Sequence, residues 1–252
     1  MLIASGGFSW FHLFVPGLDG NADNLAIASA WFVAGVLCLI AFAARLGLES
    51  ARERNGLDRY VPDEGFTLLN AAEVFVSGLQ GMMADIMEKV DAKYFFPFIG
   101  SLFAYIFTCN IMAIFPGFQP PTDNINTNFG MAVLVFAVFN TVGLKRDAVG
   151  YLKHLTGPVL FLAPLMIVIE IVSLFLRPIT LSLRLTANIF ADHLVFGIMS
   201  DLVSLIVPSI FLGMAIFVSV MQALVFSLLT TVYLSLAIPH HDEGGHGHDD
   251  HH

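Results

Sequence analysis

Between positions 170 and 193 the chain reads EIVSLFLRPITLSLRLTANIFADH, an apolar run that nevertheless carries Glu170, Arg177, Arg184, Asn188, Asp192 and His193. At about 100° per residue along a helix, with Arg184 as zero, Glu170 falls near 40°, Ser173 near −20°, Arg177 near 20°, Thr180 near −40° and Asn188 near 40°. These side chains form one polar stripe. Asp192, near 80°, lies at its edge, and His193, near 180°, faces the other way. Titratable groups that hold a proton, alternating with small polar groups that hold water, are what an ion path inside a membrane requires. A guanidinium suits a different task, because it keeps its charge and does not relay a proton. No acid stands three or four residues from Arg184, where the chain has Thr180, Leu181, Ala187 and Asn188, so pairing along the helix leaves it unneutralised. An arginine at mid-bilayer costs on the order of 2.5–3.5 kcal/mol on insertion scales. Its counter-charge is therefore expected from another helix or another chain. Arg177 has a plainer reading, in which its stem lies in the apolar layer and its head reaches a headgroup. His193 is the natural proton station, since an imidazole ordinarily titrates near neutrality.

A second polar pair, Gln222 and Tyr233, lies on the last apolar segment about 20° apart, so both can face the Arg184 stripe. The elements that hold these residues are set by composition. With 57% hydrophobic and 12% charged residues over 252 positions, the chain is too apolar for a soluble domain. Five apolar segments can be marked, at about 26–47, 94–116, 129–144, 158–200 and 207–238; the third is short unless its flanks join it, and the last two exceed the ~20 residues of a perpendicular span. Backbone groups in lipid must be satisfied within their own segment, so all five are expected to be helices. The stretch FTLLNAAEVFVSGLQGMMADIMEK, within 66–89, carries Glu73, Asp85 and Glu88 and reads as an interfacial amphipathic helix. The fold class is thus an all-α polytopic membrane protein: five crossing helices and one interfacial helix, the last two crossings a long, tilted hairpin.

Of the eleven Lys and Arg residues, six cluster around the link from the first to the second segment and Lys145, Arg146 and Lys153 between the third and fourth, while the N-terminus and the loop FPGFQPPTDNINTN have none. The basic links are expected on the inner side, which puts the N-terminus outside and the C-terminus inside. The organisation read from this is an outer N-terminal segment (1–25), N-terminal membrane helices (26–157), a helical hairpin (158–238) and a solvated His/Asp-rich tail (239–252). No Lys or Arg precedes the first apolar run and no cleavage site is evident, so the start is expected to be mature chain. Cys38 and Cys109 sit far apart in apolar runs and read as packing residues. The net charge of −9 argues against nucleic acid as a partner.

The run PLMIVIEIVSLFLRPITLSLRLTANIFADHLVF (164–196), followed by MQALVFSLLTTVYLSLA (221–237), resembles the a subunit of rotary, proton-driven ATP synthases. The likeness rests on an acid fourteen residues before the arginine, a basic residue and a proline between them, LRL with Asn four residues after the arginine, and QA followed by VYLS in the last helix. The resemblance implies a stationary proton channel that faces a c-subunit ring and is held by b-type stalk and other synthase subunits in a bacterial inner membrane or its mitochondrial counterpart, with no cofactor or metal. It implies that Arg184 meets the ring carboxylate, that Glu170 and Ser173 line the half-channel to the cytoplasm, and that Asn188, His193 and Gln222 line the outer one. One position departs from the family: the ionisable residue expected seven before Gln222 is Ala215, so His193 needs another partner; Asp192 is its sequence neighbour, Asp201 and Asp123 can reach it only through tertiary folding or water, and Asp123 or Asp192 is the expected one. Tyr233 and Asp123 complete the candidate proton path. The chain has no GxxxxGK[ST] loop, which is consistent with ATP being made on other subunits. The alternative is a self-contained proton-coupled transporter in which Arg184 and Glu170 bind substrate; no second copy of the Arg184 segment supports the internal repeat that such transporters show.

Overall fold

A computed structural model describes residues 22–52, 68–115, 118–146, 163–202 and 206–238. The described residues form six helices and one short 3₁₀ turn: α1 (Ala22–Arg52), α2 (Leu68–Ala84), α3 (Lys89–Met112), the turn Pro121–Asp123, α4 (Ile125–Arg146), α5 (Ala163–Leu202) and α6 (Ile206–Ala237). Among them, five are long and apolar enough to cross a membrane, over Asn24–Glu49, Lys89–Met112, Ile125–Arg146, Pro164–Asp192 and Leu212–Ala237. The protein is therefore an all-α polytopic membrane protein. The sixth, α2, fills the place of the amphipathic segment and packs on α1 and α3. The tail and the outer N-terminal segment fall outside the described residues, apart from the first turn of α1.

The direction of each helix follows from a few side-chain contacts. Arg146 at the end of α4 makes a two-pronged ion pair with Asp91 at the start of α3, Nη1 to Oδ2 at 3.1 Å and Nη2 to Oδ1 at 2.5 Å. Ser235 near the end of α6 donates to the carbonyl of Ile86 in the turn before α3, at 3.1 Å. The start of α3 and the ends of α4 and α6 thus share one end of the bundle, the Asp91 end. At the opposite end, Asn128 in the first turn of α4 reaches Thr186 of α5. Asn188 of α5 meets Gln222 of α6, and Arg177 lies over the ring of Tyr233. Each step of eleven residues down α5 is matched by eleven up α6, so the two helices run antiparallel. Eleven residues make almost three turns, which returns both contacts to one face.

Two apolar clusters hold this arrangement. Leu102 and Ile106 of α3, Ala132 and Val135 of α4, Leu181, Leu185 and Ile189 of α5, and Ala223 and Phe226 of α6 form the central one. The Asp91 end is filled by Met83 and Met87, Phe95 and Ile99, Phe139, Leu174 and Leu234. Helix α1 joins through a smaller contact of Val33 with Cys109 and Met112. In lipid, apolar burial hardly separates helix contacts from lipid contacts, so close approach of backbones matters more. Helix α6 provides it: Ser219, Ser227, Thr230, Thr231 and Ser235 are buried, and Ser219, Thr230 and Thr231 return their hydroxyl protons to their own helix at 2.7, 2.9 and 2.8 Å. Small side chains that satisfy their hydroxyls locally can face another helix without a polar penalty.

Candidate functional site

The stripe on α5 sits at the seam between its packed and its outward faces. Leu174, Pro178, Leu181, Ser182, Leu185 and Ile189 are buried, Glu170, Ser173, Arg177, Asn188 and Asp192 are half-buried, and Thr180 and Arg184 are exposed. The helix is continuous through Pro178. At about 1.5 Å per residue, Arg184 stands ~10 Å along the axis from Arg177 and ~6 Å from Asn188.

Toward the Asp91 end, Arg177 Nη2 lies 3.8 Å from Glu170 Oε1, with 24% and 29% of the two side chains exposed. Its guanidinium is also 5.7 Å from the centre of the Phe139 ring and 5.2 Å from that of Tyr233. Arg177 is thereby held against protein on three sides, which differs from the headgroup-seeking reading of its sequence. The seven-residue separation places Glu170 two turns away on the same face, and ring faces attract a cation further. Ser173 lies on the stripe between them.

Toward the other end, Asn188 Nδ2 donates to Gln222 Oε1, and Gln222 is buried. Near them, the buried Asn128 donates from Nδ2 to the carbonyl of Thr122 at 2.7 Å and to Thr186 Oγ1 at 2.9 Å. Thr186 passes its own proton to the carbonyl of Ser182 at 3.1 Å. Asp123, exposed, follows Thr122 in the 3₁₀ turn, which packs on α1, α3, α4 and α5. The side chain of His193 lies outside the described residues, as does that of Asp201.

Arg184 is set apart from both groups. Among the described residues it has no ion pair or hydrogen bond, and its neighbours Leu183 and Ala187 are exposed as well. Thr180, one turn away, bonds back to Leu176 and Arg177 carbonyls at 2.8 and 3.0 Å, so it offers no proton to Arg184's neighbourhood. The structure thus unites Glu170 with Tyr233 through Arg177, unites Asn188 with Gln222, and leaves Arg184 facing outward between the two. Sequence reasoning passed over Asn128 and Phe139. Both lie on a face with Ala132, Val135 and Gly143, at spacings of four, three, four and four, a helical periodicity that would have marked them as inward.

The family model described as the ATP synthase A chain matches residues 27–235. The ATP synthase subunit a of Sorangium cellulosum is 41% identical over 234 residues, covering 88% of this chain and 92% of that protein. That of Bdellovibrio bacteriovorus is 40% identical over 234 residues, covering 92% and 98%. The subunit a of Geotalea daltonii is 38% identical over 225 residues, covering 88% and 91%. The match takes in all or nearly all of each of the five crossing helices and every residue of the stripe, and the chain belongs to the ATP synthase A chain family.

Proposed function

We propose that this protein is the stationary proton-conducting subunit of a rotary ATP synthase, in which Arg184 faces a carboxylate carried past it on a separate ring of c subunits. The observation that carries this reading is the position of Arg184, exposed on an apolar helix with no partner among the described residues, between two polar groups on the same stripe. A permanent cation in that place favours a partner of opposite charge from outside the chain.

The chemistry follows from charge. A ring carboxyl protonated through the Asn188–Gln222 side is neutral and can turn through lipid. When it reaches Arg184, the guanidinium favours the anion, and the proton leaves toward Glu170. The carboxylate then moves on and takes up a proton from the first side. Because Arg184 stays charged, its field also opposes direct proton flow between the two sides. On this reading the Asp91 end faces the cytoplasm, the Asn128 end faces outward across the bacterial inner membrane, the b-type stalk holds the subunit still, and nucleotide chemistry belongs to other subunits. The transporter alternative needs one substrate to touch both Arg184 and Glu170. They lie fourteen residues apart, ~21 Å along one helix, and Glu170 is engaged by Arg177, which favours the synthase reading.

The test is Arg184→Ala in the assembled complex. ATP-driven acidification of inverted membrane vesicles is expected to fall to background while the c ring still co-purifies. Pumping at the normal rate, or a purified complex without a c ring, contradicts the reading.

A further inference from the structure

The loop before α4 is tied to the helix that carries Arg184. We propose that Asn128 is a positioning residue for proton uptake: it staples the turn bearing Asp123 to α5 at Thr186, two residues beyond Arg184, and so shapes the mouth of the half-channel on that side. This inference rests on the reading of the α5 stripe as a proton path.

Three asparagines follow one another at alternate positions, and each has a different fate. Asn124 caps α4, its Oδ1 accepting from the backbone N–H of Asn126 at 2.9 Å. Asn126 is exposed. Asn128 is fully buried, with both recorded bonds made by its amide nitrogen. The Thr122 carbonyl needs such a donor. Within the 3₁₀ turn, Asp123 and Asn124 donate to the carbonyls of Pro120 and Pro121, and Pro121 itself has no N–H to give. Thr186 is equally suited as the other acceptor, since its proton is already directed to Ser182. The side-chain oxygens of Thr122 and Asn128 are buried without a protein partner, and such atoms in a polar cluster are where water completes the bonding. The staple therefore has polar, hydratable surroundings in an otherwise apolar bundle.

Among the described residues, the charged groups in this half are few. Helix α6 has none over its whole length, and α3 and α4 have theirs only at the Asp91 end. Asp123 on the turn and Arg184, Asp192 and His193 on α5 remain, with Asp201 farther along α5, Asp23 at the start of α1, and the exposed Glu73 on α2, two residues from the Phe75 ring that packs on Phe103 in mid-α3. Asp123 is the one that the staple holds beside α5. Losing the staple leaves the core of α4 in place, because Ala132, Val135 and Phe139 are buried independently of it.

The experiment uses the whole synthase in vesicles with pH set separately on each side. Asn128→Ala and Thr186→Val, the latter keeping its shape but not its acceptor, are expected to raise several-fold the outer proton concentration needed for half-maximal ATP synthesis. The dependence on inner pH and the amount of assembled complex stay as in the parent, and Thr186→Ser, which keeps the hydroxyl, restores the parent value. An unchanged half-maximal concentration overturns the proposal, as does a loss equal at every outer pH or a Thr186→Ser variant as impaired as Thr186→Val. If Asn128→Ala fails to accumulate, the Val/Ser comparison at position 186 decides alone. Normal pumping by Arg184→Ala would overturn the functional reading itself; an inactive Arg184→Ala with unaltered staple variants overturns only this inference.

Discussion

Arg177 and Arg184 share a residue type, a helix and a stripe, yet one is gripped and the other bare. Arg177 has a carboxylate two turns back and two ring faces across the helix contact, so its charge is compensated within the chain. Arg184 has none of these among the described residues. Its isolation was legible in the sequence, because no acid stands three or four residues away. The engagement of Arg177 was not, since the periodicity of α4 marks Phe139 as inward but does not say which residue of α5 it meets. The Asn188–Gln222 pair was half legible: both angles pointed to the stripe, but the bond depends on the antiparallel register of α5 and α6. An interhelical bond of this kind contributes only about 0.6 kcal/mol on average in membranes, whereas stranding one buried amide costs about 1–3 kcal/mol. Asn188→Leu and Gln222→Leu are accordingly expected each to lower both the melting temperature in detergent and the pumping rate. The double variant should recover melting, having no stranded amide, without recovering pumping. If pumping returns together with stability, the pair only packs.

The helices themselves were legible because each needs a long apolar run, and all five appear near their expected places. Their ends were less so. Helix α3 begins at Lys89, five residues before its apolar run, and α4 extends to Arg146, two residues beyond its own, because the charges of Asp91 and Arg146 neutralise each other where the two helices meet. Helix α4 starts early because Asn124 caps it and Asn128 is buried. A pattern of apolar residues cannot show that a charge has found its partner. The Asp91–Arg146 pair should therefore act as a structural clamp. Asp91→Asn and Arg146→Ala are each expected to remove about 1.5–3 kcal/mol, seen as less assembled subunit and a lower melting temperature. The double variant should be little worse than either single one, and protons pumped per assembled complex should stay unchanged. A changed pumping rate per complex would instead place the pair in the proton path.

At the scale of the whole molecule, the exposed surface is what a membrane protein presents to lipid, with Trp31 at 76% and Phe217 at 65% exposure as examples. Lipid explains the apolar side chains but not Arg184, which stands among the exposed Leu176, Ile179, Leu183 and Phe190 of α5. That face, rather than the apolar surface of α1, should therefore be the seat of the ring. The most direct measurement is a disulfide cross-link from this face in a background with the exposed Cys38 replaced. Ala187→Cys, exposed and about one turn from Arg184, should bond on oxidation to a cysteine placed one turn from the ring carboxylate. The cross-link should stop ATP-driven pumping, reduction should restore it, and after turnover every ring protomer should react equally. Absence of that cross-link, with a ready one from Leu39→Cys on α1 instead, would contradict the account, because the ring would then lie away from Arg184.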